Sequence, residues 1–97
     1  MKSVTFGDIL TWDMVHAMAK ESEKNFTDLD GKIVDFFDLD GDGEEKFTVY
    51  TMGANDDQSY IGLRLIDEDQ RAHVFLYFND VSRYVRSENP EEAQFKV

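Results

Sequence analysis

In the C-terminal two thirds of the chain, apolar residues recur at every second position, and this period constrains the fold most. In the run SYIGLRLI, residues Ile61, Leu63 and Leu65 share one face, and the run AHVFLYF repeats the pattern. Alternation with a period of two is typical of a strand that buries one face and presents the other to different surroundings. We therefore expect a sheet with one apolar face.

Four runs of this kind are separated by turn-forming residues. The runs are KIVDFF (32–37), KFTVYTM (46–52), SYIGLRLI (59–66) and AHVFLYF (72–78). Asp, Asn and Gly are frequent in the connections, as they are in tight turns. Short connections join antiparallel neighbours. The pattern predicts a four-stranded antiparallel meander within residues 32–79.

Residues 1–31 show a different period, which predicts an N-terminal helix. Their apolar residues recur at spacings of three and four and form one stripe: Phe6, Leu10, Met14, Ala17 and Met18. Thr5 with Asp8 can cap its start, Thr11 can cap a second start, and Asn25 is a reasonable stop. We expect this helix to pack on the apolar face of the sheet.

Residues 80–97 are predicted to form a short helix and a tail. Asn79 or Asp80 can cap a helix in NDVSRYVRSENP, and Pro90, the only proline, would end it. An alternative is that EEAQFKV forms a last strand or a loose tail. The sequence thus predicts a single α+β domain over residues 1–97, with the order α-β-β-β-β-α.

The composition favours a packed core and excludes some chemistry. Of the 97 residues, 41% are hydrophobic, which argues against disorder. The chain has no cysteine, so it has no disulfide, no thiolate zinc site and no cysteine nucleophile. It shows no signal-peptide pattern and no run of the roughly 20 apolar residues that a membrane span requires. A cytoplasmic location is the resulting expectation.

The charge is strongly unbalanced, with 21 acidic residues against 10 basic ones and a net charge of −11. A field of this sign repels nucleic acids and anionic membranes and attracts basic proteins. We therefore expect no direct nucleic-acid binding and no membrane binding. Acidity also keeps a protein soluble, so the charge alone does not require a partner.

The stretch DFFDLDGDGEEKF (35–47) resembles the beginning of an EF-hand loop. Its aspartates occupy the first, third and fifth positions, and Gly43 occupies the sixth. The twelfth position, which needs a bidentate Glu, is Val49, and strands rather than helices are predicted on both sides. We interpret the stretch as a hairpin turn and predict no metal site and no cofactor.

The sequence contains no recognisable catalytic arrangement. His16 and His73 lie on separate predicted elements, and nothing in their spacing brings them together. The patterns of serine hydrolases, zinc proteases and phosphate-binding glycine loops do not occur. We expect a protein that is not an enzyme.

The face of the sheet opposite the core is predicted to be aromatic. If Val49, Ile61, Leu63, Val74 and Leu76 serve the core, alternation places another set mostly on the opposite side. That set is Tyr50, Tyr60, Phe75 and Tyr77, with Arg64 and His73 nearby. Such a face suits contact with a partner or with a second copy of the chain.

The first and third turns of a meander lie at the same end of the sheet, so their acidic residues should crowd together. These carboxylates are Asp38, Asp40, Asp42, Glu44, Glu45, Asp67, Glu68 and Asp69. Crowding like charges costs stability, which favours a basic partner as the reason for it. Carboxylates at alternate positions of an extended strand lie about 6.6–6.8 Å apart, similar in scale to successive phosphates of a nucleic-acid strand.

These features predict a small acidic inhibitor that binds a basic nucleic-acid-processing protein and blocks its substrate site without turnover. Phage anti-defence and anti-CRISPR proteins, DNA mimics and immunity proteins of nuclease toxins are examples of this class. Tyr50 and Tyr60 are the expected aromatic hot spots beside the acids. One alternative is a structural or regulatory subunit that dimerises through the aromatic face. Another is a calcium- or small-molecule-binding module.

Overall fold

The computed structural model describes residues 2–28, 30–35, 43–66 and 72–97. This part of the chain holds one α-helix and nine strands. They are β1 (Ser3–Val4), β2 (Ile9–Thr11), α1 (Trp12–Lys20), β3 (Glu23–Thr27), β4 (Ile33–Val34), β5 (Lys46–Ala54), β6 (Ser59–Leu65), β7 (His73–Phe78), β8 (Tyr84–Val85) and β9 (Gln94–Lys96). Two 3₁₀ turns, Val81–Arg83 and Pro90–Glu92, lie on either side of β8.

The strands form two sheets in which all neighbours are antiparallel. The larger sheet has six strands in the order β2-β5-β6-β7-β3-β4, and the smaller has three in the order β1-β9-β8. Strands β5, β6 and β7 follow one another as a meander at the centre of the larger sheet. Its two edges, β2 on one side and β3 with β4 on the other, come from the N-terminal part of the chain. The fold is therefore mostly β.

The predicted four-stranded meander is wrong in its first strand. The run KIVDFF supplies only β4, which pairs with β3 at the far edge of the sheet from β5. The cause is a tight turn after β3. There Asp28 Oδ1 accepts hydrogen bonds from the backbone N–H groups of Asp30 at 2.9 Å and Lys32 at 3.0 Å. Gly31 has the positive φ of 80° that such a turn needs. Because this tight turn brings β4 back alongside β3, β4 pairs with β3 and not with β5.

The predicted helical segment 1–31 is also wrong, because α1 covers only nine residues. Gly7, with a φ of 83°, interrupts the chain before β2. Leu10 is buried in β2 against β5, so the apolar stripe read as one helix is shared between a strand and a helix. The cap predicted at Thr11 is confirmed, since its hydroxyl accepts a hydrogen bond from Met14 N at 3.3 Å.

The helix ends at Lys20, with Glu21 as its C-cap, and not at Asn25. The segment EKNFT that follows is β3, paired along its length with β7. Its apolar residue, Phe26, is 2% exposed and belongs to the core. Pairing with β7 gives this polar segment the partners for its backbone that a helix would otherwise supply.

The predicted C-terminal helix is wrong as well. The cap at Asp80 is confirmed, since its carboxylate accepts a hydrogen bond from Ser82 N at 3.0 Å, but it starts a single 3₁₀ turn. The alternative of a last strand in EEAQFKV is confirmed by β9, which pairs with β1 and β8. The pattern of apolar residues could not predict that β9 pairs with β1, because the two strands lie at opposite ends of the chain.

The core lies between one face of the six-stranded sheet, the helix and the small sheet. The sheet contributes chiefly Leu10, Phe26, Phe47, Val49, Met52, Ile61, Leu63, Val74, Leu76 and Phe78. The helix adds Val15, Met18 and Ala19, and the small sheet adds Val4 and Phe95 with the adjoining Ala93. The rings of Phe78 and Phe95 lie 5.6 Å apart and join the two sheets. Both the helix and the small sheet therefore cover the same face.

Candidate protein-interaction surfaces

The face of the six-stranded sheet opposite the core, here called the outer face, is aromatic as predicted. It carries Tyr50, Tyr60, Phe75 and Tyr77 with Arg64 and His73, while their strand neighbours are buried. Glu23, Asn25 and Thr27 of β3 share this face, since they pair with Tyr77, Phe75 and His73. A register shift between Val49 and Thr51 places Tyr50 and Thr51 together opposite Gly62.

The aromatic rings of the outer face form a continuous chain of contacts across three strands. The centroid of Tyr50 lies 6.1 Å from that of His73 and 5.9 Å from that of Phe75. Phe75 lies 6.2 Å from Tyr77, which lies 6.3 Å from Tyr60. All five side chains are half-buried, so they cover one another without being removed from solvent.

Two glycines make room for these rings. A Cβ placed on Gly53 would lie 2.7 Å from Tyr60 Cζ, so this ring lies directly over the Gly53 backbone. A Cβ on Gly62 would overlap the Thr51 methyl group and would lie 3.1 Å from ring atoms of both Phe75 and Tyr50. Glycine in these two strands therefore serves close approach of an aromatic ring.

Arg64 lies over the ring of Tyr50, with its guanidinium carbon 4.3 Å from the ring centroid. Burial raises the pKa of Tyr50 above its ordinary value, while the nearby charge of Arg64 acts in the opposite direction. A tyrosine of raised pKa is a neutral phenol at physiological pH. It offers an apolar ring and a hydroxyl for binding and is not an activated nucleophile or base.

The outer face is electrically polarised along its strands. Lys46 and Arg64, with His73 beside them, form what we call the cationic half, at the end where β5 begins. Tyr60, Tyr77 and Glu23 form the tyrosine half at the opposite end, where all three lie in register across β6, β7 and β3. Tyr60 and Arg64 are four residues apart on one strand, a separation of about 13 Å.

Two exposed isoleucines extend the apolar surface to both edges of the sheet. Ile9 on β2 is 62% exposed and Ile33 on β4 is 75% exposed. Their register partners, Thr48 and Thr27, place them on the outer face. Within residues 2–28, 30–35, 43–66 and 72–97, no helix or strand packs over this face. The sequence patterns did not place Ile9 or the residues of β3 on this face, because β2 and β3 were not predicted. Phe26, the single apolar residue of EKNFT, was a weak signal for β3.

The second surface is the end of the sheet at which β5 begins, here called the acidic end. Ile66 N donates a hydrogen bond to the Lys46 carbonyl oxygen at 2.8 Å, and Leu65 N donates to that of Ala72 at 3.0 Å. Segment 67–71 and the C-terminal end of segment 36–42 are thus joined to the described chain at this end. The N-terminal end of segment 36–42 follows β4, at the far edge of the sheet. The turn that begins at Asp28 lies there too, because it follows the register pair Thr27 and His73.

Most of the carboxylates predicted to bind a partner lie outside the described residues. They are Asp38, Asp40, Asp42, Asp67, Glu68 and Asp69. Of the two that are described, Glu44 is exposed and Glu45 is half-buried. The Glu45 carbonyl oxygen accepts a hydrogen bond from Trp12 N at 3.1 Å, which ties it to the start of α1. Their expected proximity was argued from the first and third turns of a meander, whereas β4 and β5 are in fact separated by three strands.

Tyr50 and Tyr60, the predicted hot spots, lie on the outer face. Tyr50 contacts Arg64 and His73, so its surroundings carry positive rather than negative charge. Of the predicted binding residues that the structure describes, the two tyrosines lie on the outer face, and Glu44 and Glu45 directly precede β5.

The geometry at Val49 argues against an EF-hand. Val49, at the twelfth position of the loop pattern, is 2% exposed and faces the core from β5. The elements before and after the pattern are strands β4 and β5, where an EF-hand has helices. The three aspartates of the pattern lie outside the described residues. In the part of the chain that is described, no group of three His, Asp or Glu side chains is arranged to hold a metal ion.

Two other places were candidates for chemistry. His16 lies on α1, on the core side of the sheet, and His73 lies on the outer face, so the histidines do not form a pair. A cleft of about 310 Å³ is lined in part by Glu21, Asp80 and Arg83. The guanidinium group of Arg83 forms an ion pair with Glu21 Oε2 at 3.0 Å and lies over the Phe78 ring, 4.4 Å from its centroid. Both contacts give Arg83 a structural role.

Comparison with known protein families, curated proteins and solved structures finds no match to the chain. Within the described ranges, none of the helical segments has both the length and the apolar character needed to cross a bilayer. The surfaces themselves are therefore the basis for a functional proposal.

Proposed function

We propose that this chain is a non-enzymatic, cytoplasmic inhibitor that docks its acidic end on a basic nucleic-acid-processing protein and blocks the substrate site. The observation that carries the proposal is the hydrogen bond between Ile66 and Lys46, at 2.8 Å. It brings Lys46, which begins β5 three residues after Gly43, next to Ile66, which directly precedes the acid-rich segment 67–71. Segment 36–42 contains three aspartates and segment 67–71 contains three further carboxylates.

The charge of the whole chain supports the same proposal. Two proteins of opposite sign associate faster than neutral ones, with rate constants that reach roughly 10⁸–10⁹ M⁻¹s⁻¹ at low salt. A net charge of −11 on 97 residues suits such steering. Since nucleic acids carry the same sign, they compete with this chain for a basic site and are not its ligands.

The test compares two variants that lose the same net charge at different places. Asp38→Asn/Asp40→Asn removes two charges from segment 36–42. The control, Asp56→Asn/Asp57→Asn, removes two exposed charges from the loop between β5 and β6, at the opposite end of the sheet. Each is immobilised and exposed to basic host proteins enriched on phosphocellulose, and elution with duplex DNA is then attempted.

We expect the wild type and the control to capture a basic protein that DNA displaces, and whose nucleic-acid-processing activity the soluble chain inhibits. The Asp38→Asn/Asp40→Asn variant should bind it at least about tenfold more weakly, because the rate of association and the contact both depend on those charges. Equal binding by both variants would show that only net charge matters. Capture of neutral or acidic proteins alone would refute the proposal.

A further inference from the structure

We propose that the outer face is the interface between two copies of this chain, packed face to face with their strands running in opposite senses. The proposal does not depend on binding at the acidic end. Of the residues that carry the two proposals, the surfaces share Lys46, whose carbonyl oxygen bonds Ile66 at the acidic end while its position on β5 belongs to the outer face. It rests on the composition of the outer face, its size and the arrangement of its charges.

The outer face has the composition of an interface core. Tyr and Phe rings in mutual contact make up its centre, and Ile9 and Ile33 extend it to both edges with 62% and 75% of their surface exposed. Aromatic side chains at the centre of a patch are enriched in protein interfaces. In a chain with a third of its residues charged, this accessible apolar surface marks a place of contact.

The charges of the outer face select a second copy over a basic partner. Lys46 and Arg64 lie on this face, so a basic protein would meet charges of its own sign there. A second copy whose strands run in the opposite sense brings complementary groups to the cationic half. Its tyrosine half, with Tyr60, Tyr77 and Glu23, lies over the cationic half of the first copy, and the reverse holds at the other end by two-fold symmetry.

This arrangement also fixes the sense of the packing. Arg64 of each copy approaches the tyrosine rings and Glu23 of the other, where cation–π and charge contacts are both available. A dimer with its strands running in the same sense would instead place the cationic half of one copy against the cationic half of the other. The antiparallel arrangement is therefore the one that the polarised face favours.

The size of the face predicts a weak dimer. With a strand spacing of about 4.8 Å and a rise of about 3.3 Å per residue, the six strands present roughly 500 Å² per copy. Two copies bury about 1,000 Å², the lower limit for a specific interface. We therefore expect association at micromolar or higher protein concentration.

A charge-reversal pair tests the interface and its sense together. Arg64→Glu brings a second negative charge to the half of the partner that contains Glu23, at both ends of the dimer, and Glu23→Arg brings a second positive charge to the half that contains Arg64. An equal mixture of the two variants restores opposite charges at both ends of a mixed dimer. Both positions are exposed, so neither change removes a core contact. The matched controls are Arg86→Glu and Glu88→Arg, which make the same changes of charge in an exposed loop beside the small sheet.

The measurement is sedimentation velocity over a hundredfold range of concentration, at low and at physiological salt. The wild type and both controls should dimerise, and each outer-face variant alone should dimerise about tenfold or more weakly. The mixture should return close to wild type. Because two bodies of charge −11 repel, salt should strengthen the dimer, whereas it weakens binding to a basic protein. A wild type that is monomeric throughout, or a mixture that does not recover, overturns the proposal.

Discussion

Replacing Gly62 by alanine tests whether the aromatic rings of the outer face depend on a bare backbone beneath them. The added methyl group would overlap the methyl group of Thr51 and crowd ring atoms of Tyr50 and Phe75 at 3.1 Å. Thr51 is β-branched and stiff at χ1, so it cannot easily turn away. Overpacking of this kind costs about 1–3 kcal/mol. Alanine gains roughly 0.5–1 kcal/mol over glycine in a strand, so the midpoints of the two ranges leave a net loss of a little over about 1 kcal/mol.

That loss corresponds to a fall of about 5–10 °C in the melting temperature of a domain of this size. The assay is thermal unfolding followed by circular dichroism, at a protein concentration low enough for association not to contribute. Thr51→Ser removes the overlapped methyl group, so the double variant Gly62→Ala/Thr51→Ser should recover part of the loss. A Gly62→Ala protein that melts at or above the wild-type temperature would refute the close-approach argument.

Three further predictions concern the helix cap, an aspartate and a tyrosine. Thr11→Ala should lower the free energy of unfolding by about 1 kcal/mol in urea titration, and Thr11→Ser should not, because only the first removes the cap of α1. Hydrogen bonds from Ser82 hold the pKa of Asp80 below its ordinary value, so its contribution to stability is present above about pH 4 and lost as the pH falls further. The difference in melting temperature between wild type and Asp80→Asn should therefore shrink on acidification. Arg64→Ala should raise the pKa of Tyr50 further, since a charge that lowers it is removed. Tyrosinate absorbance, with Tyr50→Phe subtracted, measures this shift, and an unchanged or lower value would contradict the contact.

The sheet was predictable where its pattern is local and was not where partners come from far along the chain. Strands β6 and β7 alternate strictly, so Ile61 and Val74 were assigned to the core and Tyr60 and Phe75 to the other face. The segment EKNFT of β3 carries one core residue, Phe26, and becomes a strand because β7 offers it an edge. The hydrophobic periodicity of this segment does not predict its pairing with β7, because that pairing depends on a strand far along the chain.

The candidate site divides in the same way. The aromatic residues of the outer face follow from alternation alone, including Tyr50, whose bulge keeps it on that face. The arrangement of charge on the outer face does not follow from alternation, because Glu23 lies on this face only as part of β3, which was not predicted. The run KIVDFF was predicted as a strand and does contain β4, but it was assigned to β5 as its neighbour, whereas β4 pairs with β3. A turn signal gives a change of direction, and the neighbouring strand is decided by competition between edges.

The run from Ile9 to Thr27 has a mechanical consequence. It begins in β2 at one edge of the sheet, crosses the core face as α1 and ends in β3 beyond β7. The helix is therefore anchored at both ends by strand pairing, through β2 to β5 and through β3 to β7, on either side of the central meander. Releasing β2 or β3 frees one end of the helix between them and exposes the core that it covers, so neither strand should open alone. Native-state hydrogen exchange should show β2, α1 and β3 opening as a single unit, with the β6 amides the last to exchange.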